Sequence, residues 1–495
     1  MRPSLQSLAQ QTYDVLIVGA GINGAAAAHA AVQQGYRVAL LDAADYGSGA
    51  SSRSSRLLHC GLRYLMPGGP LTTFVRHPGR FLDVLRTVRR SMAVRSAFVL
   101  EQPERARPIR MHYPVYRDGP YAPWLVDVAF GLLGALSDRK VALDYKRTPA
   151  REALAGNPFA PWLGNKDKLA AIASYTEYQF DWPERVVLDL ALAARQLGAA
   201  VRNYTRVTAM RRQQDGWLVD VSDSITAQTA TLHARAILNI AGTQVDAVNA
   251  CADVPVGRKI TGTKGAHIMF RLPSACRGQG LASVSSVGRP FYCMPWRDLH
   301  FFGPTETLYE GDPDKAHADT QDVDFLLREA NSLFPSLGLE RSDIVSTWAG
   351  VRPLTYDPAL PMGHRSRRIY DQSDEGMPDM FSLSNGSLGA HRQTGKDLVQ
   401  ALRQRVAPSD PPQAGPAPAS PIPDLAQILA KEDVVLLDDL MTRRLGLAWD
   451  AGHGLDQAAG IAAVAAQSCG WDAARQAEEV ARYEARTRCL YGVRS

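Results

Sequence analysis

Residues 13–42 read YDVLIVGAGINGAAAAHAAVQQGYRVALLD, and this stretch decides the expected fold. The apolar run at residues 15–18 is typical of a strand that is buried on both faces. An alanine-rich segment to about residue 34 favours a helix, and a second apolar strand ends at Asp42. Three glycines in the spacing GxGxxG separate the first strand from the helix: Gly19, Gly21 and Gly24. This order predicts a Rossmann-like unit in which the helix start binds the pyrophosphate of FAD or NAD and Asp42 binds a ribose.

The composition of the whole chain excludes several classes of protein. Its 495 residues, 45% hydrophobic and 21% charged, are enough for two or three globular domains. The net charge of +5 is small for this length and no long basic arm occurs, so no nucleic-acid partner is expected. The six cysteines form no CxxC and no cluster at metal-ligand spacing, so no metal is expected. The N-terminus lacks the apolar core of a signal peptide and no run of eighteen apolar residues occurs, which predicts a cytoplasmic protein.

Later segments indicate that the nucleotide-binding domain is discontinuous. Strand-like runs end at Gly242 and Gly386, as strands returning to the first sheet would, while alternation over residues 257–343 favours an antiparallel sheet. Proline-rich sequence then precedes an alanine-rich region with helices expected at residues 432–445 and 472–486. The predicted domains are a nucleotide-binding domain (12–70, about 185–256 and 345–405), a substrate domain (about 71–184 and 257–344), a linker (406–423) and a helical domain (424–495).

The residues that could carry chemistry point to redox catalysis. No GxSxG, P-loop, HExxH or paired-carboxylate signature occurs, and a single glycine fingerprint favours one tightly held flavin. Arg63 and Arg352 lie within apolar runs, where a cation needs an anionic partner, either a substrate or a structural carboxylate. Three histidines near the expected cofactor could each act as a base or be a structural core residue: His59, His267 and His391.

Two further segments combine apolar helices with arginine-rich surface. Residues 74–95 have helical spacing with many arginines, and residues 124–133 are almost entirely apolar. Such segments either pack into the core with a solvated basic face or lie in a membrane interface.

Several motifs, in order from Tyr13 to the C-terminus, resemble one family. They are VGAGINGA, SSRSSRLLHCGLRYL, KGAHIMF (264–270), GPTETLYEGDP (303–313), GVRPL (350–354), and VVLLDDLMTRRLGL followed by GWD. In these the chain is similar to the flavin-dependent, respiratory glycerol-3-phosphate dehydrogenases. The resemblance implies an α/β fold: a Rossmann-like FAD-binding domain of the glutathione-reductase/amino-acid-oxidase type, an antiparallel-sheet substrate domain and a C-terminal helical domain. It also implies oxidation of glycerol 3-phosphate to dihydroxyacetone phosphate, with electrons passed to quinone at the inner face of a membrane.

The resemblance also implies roles for individual residues. Those expected to act in catalysis are His59, Arg63, His267 and Arg352. Those expected to hold the substrate are Arg63, Tyr64, Arg352, Arg365 and His391. Those expected to contact FAD are Gly19, Gly21, Asn23, Gly24, Asp42, Ser51, Ser52, Gly242, Gly386, Ser387 and Leu388. A homodimer is a further expectation.

The chain departs from the family pattern at one loop that matters for the substrate. Where the family has a GGKLTTYR-like segment, residues 385–392 read NGSLGAHR, so that Ser387 replaces a lysine and His391 a tyrosine. A milder change turns a GTTD-like motif into residues 303–306, GPTE. Two alternatives therefore stay open: a paralogue that oxidises another small anionic hydroxy or amino substrate, with quinone or oxygen as acceptor, and a flavin-binding protein without turnover.

Overall fold

The structure, a computed structural model, describes residues 2–66, 78–137, 139–415 and 422–492, and for residues 63 and 78–80 it describes the backbone alone. The strands are β1 Thr12–Val18, β2 Val38–Leu41, β3 Leu57–Leu58, β4 Ala106–Tyr116, β5 Lys146–Pro149, β6 Leu169–Phe180, β7 Ala200–Arg202, β8 Thr205–Gln213, β9 Gly216–Asp223, β10 Thr229–Asn239, β11 Ile260–Phe270, β12 Gln279–Val284, β13 Pro290–Trp296, β14 Leu299–Gly303, β15 Thr307–Leu308, β16 Ser346–Thr355, β17 Arg368–Asp371 and β18 Met380–Ser384. The α-helices are α1 Leu5–Ala9, α2 Ile22–Gln33, α3 Leu62–Leu65, α4 Pro78–Glu101, α5 Pro123–Leu136, α6 Ala150–Gly156, α7 Pro183–Gln196, α8 Val245–Ala250, α9 Thr320–Leu333, α10 His391–Arg403, α11 Leu425–Lys431, α12 Leu455–Cys469 and α13 Ala473–Tyr491.

The first sheet confirms the Rossmann-like unit predicted from residues 13–42. Strands β18, β10, β1, β2 and β7 lie side by side and parallel, with β17 antiparallel at one edge. All but the first residue of β1 are buried, because helices cover both faces of a parallel sheet. The strand expected to end at Gly242 corresponds to the last part of β10, and β10 pairs with β1. Antiparallel strands β8 and β9 extend the sheet beyond β10.

The helices on this sheet pack closely because glycines stand at their contacts. A Cβ on Gly24 in α2 would lie 1.8 Å from the carbonyl oxygen of Gly19. A Cβ on Gly395 in α10 would lie 2.7 Å from the carbonyl oxygen of Ala26. These close approaches fix the start of α2 directly against the end of β1.

The second sheet contains the antiparallel strands predicted for residues 257–343, together with strands from other parts of the chain. Its order is β15-β11-β14-β13-β12-β4-β6-β3, with β16 also on β11 and β5 also on β6. Strand β16 corrects the expected domain boundary near residue 345, because it pairs with β11 from Ile260↔Thr355 to Met269↔Ser346. Likewise β3, expected in the first domain, pairs with β6. The alternating pattern of a strand does not show which sheet it joins, since tertiary register decides its partner.

The C-terminal region is helical, as predicted, with one difference in the position of an element. The helix expected over residues 432–445 is wrong in its first half: α11 ends at Lys431, and a π-helical turn spans Asp439–Arg444. The helix expected over residues 472–486 is α13, which runs on to Tyr491. Residues 416–421 of the predicted linker lie outside the described residues. The helix expected over residues 74–95 is α4, and residues 74–77 of that prediction also lie outside the described residues.

Buried ion pairs join the C-terminal region to the first domain, and we call this contact the C-terminal interface. Asp45 accepts hydrogen bonds from Arg443 Nε and Arg444 Nη1, each at 2.5 Å. Further contacts there include the ion pair Arg185–Glu432 at 2.8 Å and two hydrogen bonds from tyrosine hydroxyls, Tyr204–Asp439 at 2.6 Å and Tyr46–Asp433 at 2.8 Å. Burial would raise the pKa of Asp45, but the guanidinium groups of Arg444 and Arg443 outweigh it and hold that pKa well below its usual value.

Among the described residues, no helix is both long and apolar enough to cross a membrane. The described residues also contain no group of three or more His, Cys, Asp or Glu side chains placed to hold a metal ion.

Candidate functional site

The ends of four parallel strands bring the predicted cofactor residues to one place, which we call the carboxyl edge. The glycine turn after β1, Asp42 after β2, Gly242 after β10 and Gly386 after β18 lie along it, because parallel strands end on the same side of their sheet. Gly19 has a φ of +101°, and a Cβ there would lie 2.6 Å from the carbonyl oxygen of Ile240. Ligands of such sheets bind in the crevice outside this edge.

The start of α2 faces a loop of small residues at this edge. Gly21 caps the helix, which has no acidic residue in its first turn. Ile22 N donates to Ser51 Oγ at 3.0 Å, and a Cβ on Gly21 would lie 3.3 Å from the same oxygen. The neighbouring Ser52 hydroxyl instead donates to Gly49 O at 3.1 Å, within its own loop. N–H groups of a helix start and small side chains suit a pyrophosphate.

Asp42 is a partly buried carboxylate with unused hydrogen-bonding capacity. Its Oδ2 accepts from Ala20 N at 2.7 Å and its Oδ1 from Ala44 N at 2.9 Å. Burial outweighs these two bonds and raises the pKa of Asp42 to about 7. Because a carboxylate has about four acceptor positions, both oxygens can still accept bonds from ribose hydroxyls.

Asn23 ties the start of α2 to the end of β18. Its Nδ2 donates to Gly386 O at 2.8 Å, and a Cβ on Gly386 would lie 2.4 Å from the same nitrogen. Asn23 Oδ1 is buried and has no hydrogen-bond partner among the described residues. A buried amide oxygen without a donor can accept a hydrogen bond from a ligand group. Beyond Gly386, Ser387 is exposed and Leu388 is half-buried at the start of a 3-10 turn.

A second group of residues lies on one face of the β11–β16 pair. Directly opposed residues of an antiparallel pair share a face, which places His267 beside Trp348 and Thr263 beside Arg352. The Arg352 guanidinium lies over Gly265, where a Cβ would be 2.4 Å from Nη2. On the same face, a Cβ on Gly350 would lie 2.4 Å from Arg53 O. The two glycines therefore let the loop after Asp42 reach this face beside Arg352.

His267 is enclosed at the centre of this face. Its side chain is 1% exposed and its ring stacks on Trp348, with centroids 4.4 Å apart. Its Nε2 lies 2.8 Å from the hydroxyl of Ser55 in the loop after Asp42. Burial, followed by the charge of Arg352, holds the pKa of His267 well below its usual value, so the ring is neutral at neutral pH. Sequence reasoning marked the loop but missed Ser55.

His59 and Tyr64 lie together near β3, with their rings edge-on at 5.7 Å. His59 lines a cavity beneath α3 with aromatic and apolar side chains and one carboxylate, among them Tyr113, Tyr175 and Glu177. Arg63 belongs to α3, but its side chain lies outside the described residues.

The structure gives His391 an internal environment. It begins α10, is 1% exposed, and its Nδ1 lies 2.8 Å from Leu388 O. Its ring meets Phe98 edge-on at 6.0 Å, and burial lowers its pKa to about 4. This packing does not support a substrate contact for His391 and is typical of a core histidine.

Arg365 is exposed and forms an ion pair that sequence reasoning missed. Its guanidinium contacts one oxygen of Glu306, and Arg289 Nη1 lies 2.7 Å from the other oxygen. The Arg365 carbonyl also accepts from the Asn385 side chain. Glu306 belongs to the altered GPTE motif. Its carboxylate, shared between Arg289 and Arg365, therefore contacts Arg365, the arginine expected to bind the substrate.

Comparisons with known proteins agree with this geometry. A family model described as FAD dependent oxidoreductase matches residues 14–383. A glycerol-3-phosphate dehydrogenase of Synechocystis is 30% identical over 426 residues, covering 83% of this chain and 73% of that protein. An aerobic glycerol-3-phosphate dehydrogenase of Staphylococcus aureus is 29% identical over 405 residues, covering 81% and 69%.

Solved structures share the fold. A glycerol-3-phosphate dehydrogenase from Bacillus halodurans, complexed with FAD, is similar at a TM-score of 0.74 and 20% identity, covering 98% of this chain and 96% of that one. A glycine oxidase from Geobacillus kaustophilus is similar at a TM-score of 0.56 and 21% identity, covering 80% and 95%. At these identities the likeness concerns the fold alone.

Proposed function

The chain belongs to the FAD-dependent oxidoreductase family, and from this we propose that it oxidises glycerol 3-phosphate to dihydroxyacetone phosphate. The observation that carries the proposal is the loop after Asp42. It runs from the carboxyl edge, where we expect FAD to bind, to the face that holds His267 and Arg352. A cofactor site and a cation beside a neutral imidazole are thereby brought together by one segment.

These residues suit the oxidation of an alcohol. When bound, FAD would supply the acceptor for the hydride of the substrate carbon. The substrate hydroxyl must also lose a proton, and the neutral His267 ring can receive one. The Arg352 guanidinium stabilises the negative charge that develops on the substrate oxygen. Together these steps remove two electrons and two hydrogens and leave a ketone.

The phosphate group needs cations at the other end of the substrate. Arg365 supplies one and, by the family resemblance, Arg63 a second, while the Tyr64 hydroxyl can add a hydrogen bond. Arg365 forms an ion pair with Glu306, so a substrate dianion must compete with this carboxylate for the guanidinium. A phosphate, with its larger charge, competes better than a monoanion does.

The reduced positive charge near the expected phosphate position favours a second candidate function. Ser387 provides no cation where the resembling family has lysine, and Glu306 offsets part of the charge of Arg365. Both features suit a smaller or less charged hydroxy or amino acid on the same scaffold. This alternative keeps the FAD, Arg352 and His267 and changes only the substrate.

Anaerobic reduction of the flavin separates these readings. We expect the absorbance of the bound flavin to bleach on addition of glycerol 3-phosphate, with dihydroxyacetone phosphate as product, and not with glycerol. Bleaching by a hydroxy or amino acid but not by glycerol 3-phosphate would establish the second candidate. A protein that binds FAD and bleaches with neither class would contradict both, and would favour a flavin-binding protein without turnover.

We further propose that the protein is cytoplasmic and docks at the inner face of the membrane, where quinone accepts its electrons. Helix α5 supports this, because Trp124 and Val128, one turn apart, are 63% and 51% exposed. The one charged residue of the helix, Asp127, is paired with Arg147 at 2.9 Å. An exposed apolar strip that includes tryptophan suits a membrane interface. Assembly as a homodimer and oxygen as acceptor stay predictions.

Flotation with anionic vesicles tests the membrane surface. The wild-type protein should float at low salt, and the double variant Trp124→Ser with Val128→Ser should not. Val464→Ser, which removes an apolar side chain 55% exposed on α12, is the matched control and should float normally. A wild-type protein that stays unbound at low salt would reject the proposal.

A further inference from the structure

Ser55 is the accessible member of a serine–histidine pair. Its hydroxyl lies 2.8 Å from His267 Nε2, and the two residues are 212 positions apart in the chain. Ser55 is half-buried, whereas His267 is 1% exposed. Because Ser55 belongs to the loop that begins at the carboxyl edge, its hydroxyl is a polar group on this face that extends from the cofactor side.

The ring of His267 is covered on its other sides. Trp348 stacks on it, Phe301 meets it edge-on at 5.5 Å, and a Cβ on Gly303 would lie 2.6 Å from its Cδ2. Nδ1 is buried and has no hydrogen-bond partner among the described residues. A substrate hydroxyl therefore has no open approach to either ring nitrogen, and Nε2 is already in contact with Ser55.

We propose that Ser55 is a catalytic residue that relays the substrate hydroxyl proton to His267. The inference rests on the proposed oxidation of an alcohol at this site. The substrate O–H bond breaks as its proton moves to Ser55 Oγ, and the Ser55 O–H bond breaks as its proton moves to Nε2. Ser55 regains a proton and is unchanged, His267 gains one proton, and bound FAD would accept the substrate hydride, as in the proposed function.

The relay requires a neutral ring with Nε2 unprotonated, and the enclosure supports the first requirement. A buried imidazole beside Arg352 favours the neutral form. A hydroxyl between substrate and base also keeps the base out of water, so its proton affinity is set by fixed neighbours.

The rate of flavin reduction tests the relay. Anaerobic stopped-flow mixing of the FAD-loaded protein with saturating glycerol 3-phosphate gives this rate separately from substrate affinity. We expect Ser55→Ala and His267→Asn each to lower the limiting rate by about 10²-fold or more, the range of general acid–base catalysis. Ser55→Thr, which keeps a hydroxyl, should stay within about tenfold of the wild type. The double variant should be no slower than His267→Asn, since the two residues act as one unit.

A second serine–histidine pair supplies the control. The Ser174 hydroxyl lies 2.8 Å from His112 Nδ1 in the second sheet, where both residues are buried. Ser174→Ala removes the same kind of bond, and we expect the rate of flavin reduction to stay as in the wild type.

Three results would decide against the relay. The relay would be overturned if the flavin of Ser55→Ala were reduced as fast as that of the wild type. It would also be overturned if the rate in the double variant fell by the product of the two single effects. If Ser55→Ala does not retain flavin, Ser55→Gly makes the same test without a hydroxyl, and a wild-type rate there would overturn the relay. A wild-type protein that glycerol 3-phosphate does not reduce would overturn the proposed function itself.

Discussion

Asp42 and Asp45 stand three residues apart, yet their carboxylates have opposite environments at the carboxyl edge and at the C-terminal interface. At the edge, Asp42 accepts two backbone N–H groups and no cation, and burial raises its pKa to about 7. At the interface, Asp45 accepts bonds from two arginines, which hold its pKa well below normal. The second carboxylate is satisfied within the chain, and the first is not.

The difference separates a structural charge from a functional one. A carboxylate neutralised by buried arginines joins two parts of the fold and has little capacity left for a ligand. A carboxylate held by backbone alone carries an unfavourable charge that a ligand with hydroxyl donors can stabilise. Asn23 Oδ1, buried at the same edge with no hydrogen-bond partner among the described residues, has the same character. At the carboxyl edge, both groups therefore keep hydrogen-bonding capacity that a ligand could use.

The largest expected effect on stability comes from removing the carboxylate of Asp45, whose hydrogen bonds are made within the chain. Asp45→Ala leaves Arg443 and Arg444 buried with fewer partners, and we expect the free energy of unfolding to fall by about 3 kcal/mol. Urea unfolding followed by fluorescence measures it. Asp410→Asn, which removes the exposed partner of Arg37, is the control and should leave the midpoint unchanged. Equal midpoints for both variants would show that the interface is not a stabilising contact.

Breaking the unsatisfied carboxylate should weaken cofactor binding. For Asp42→Asn we expect the affinity of the apoprotein for FAD to fall by about 10- to 100-fold, because charged hydrogen bonds to the ribose are lost. Asp14→Asn is the control: Asp14 accepts two backbone N–H groups, from Arg37 and Ser409, and also pairs with Arg235, but it lies at the opposite end of β1. Fluorescence titration with FAD measures both, and equal losses would contradict the assignment of Asp42.

The pH dependence of FAD binding sharpens the same point. Burial raises the pKa of Asp42 to about 7 in the free protein, and bonds from ribose hydroxyls favour the ionised form and lower that pKa. FAD binding therefore releases a proton. We expect affinity to fall by up to tenfold for each pH unit below about 7 and to be constant above it. The wild type should show this slope and Asp42→Asn should lack it; the same slope in both proteins would assign it to another group.

The two regions also differ in what the sequence can predict. Gly19, Gly24 and Asp42 could be recognised because all lie within thirty residues of one local motif. The partners of Asp45 lie 398 and 399 positions away, and the pattern of residues 432–445 did not show that a π-helical turn would present them. Long-range pairing of this kind is fixed by tertiary register, which local periodicity does not contain.

Site residues followed the same rule. Arg352 and His267 were predicted from motifs. Ser55, which contacts His267, and Glu306, which pairs with Arg365, come from distant segments and were missed. His391 was placed with the substrate because of its position in an altered motif, whereas its ring packs on Phe98 in the core. A motif gives the position of a residue in the chain, and only packing gives the direction of its side chain.

The smallest expected effect concerns the exposed Ser387. Ser387→Lys supplies the cation that the resembling family has at this position, and we expect affinity for glycerol 3-phosphate to rise by up to about fivefold, since exposed ion pairs contribute at most about 1 kcal/mol. Ser387→Gln, of similar length and no charge, is the control. Substrate titration of flavin reduction measures both, and an equal gain in the two variants would exclude a charge effect.

The measurement that tests the central claim most directly is anaerobic flavin reduction in Arg352→Ala beside the wild type. Arg352 lies on the β11–β16 face and not at the carboxyl edge, so the variant should retain FAD at the wild-type level. We expect its limiting rate of reduction by glycerol 3-phosphate to fall by about 10²- to 10³-fold, as for the loss of one donor that stabilises an oxyanion. A variant that holds its flavin and is reduced as fast as the wild type would contradict the account.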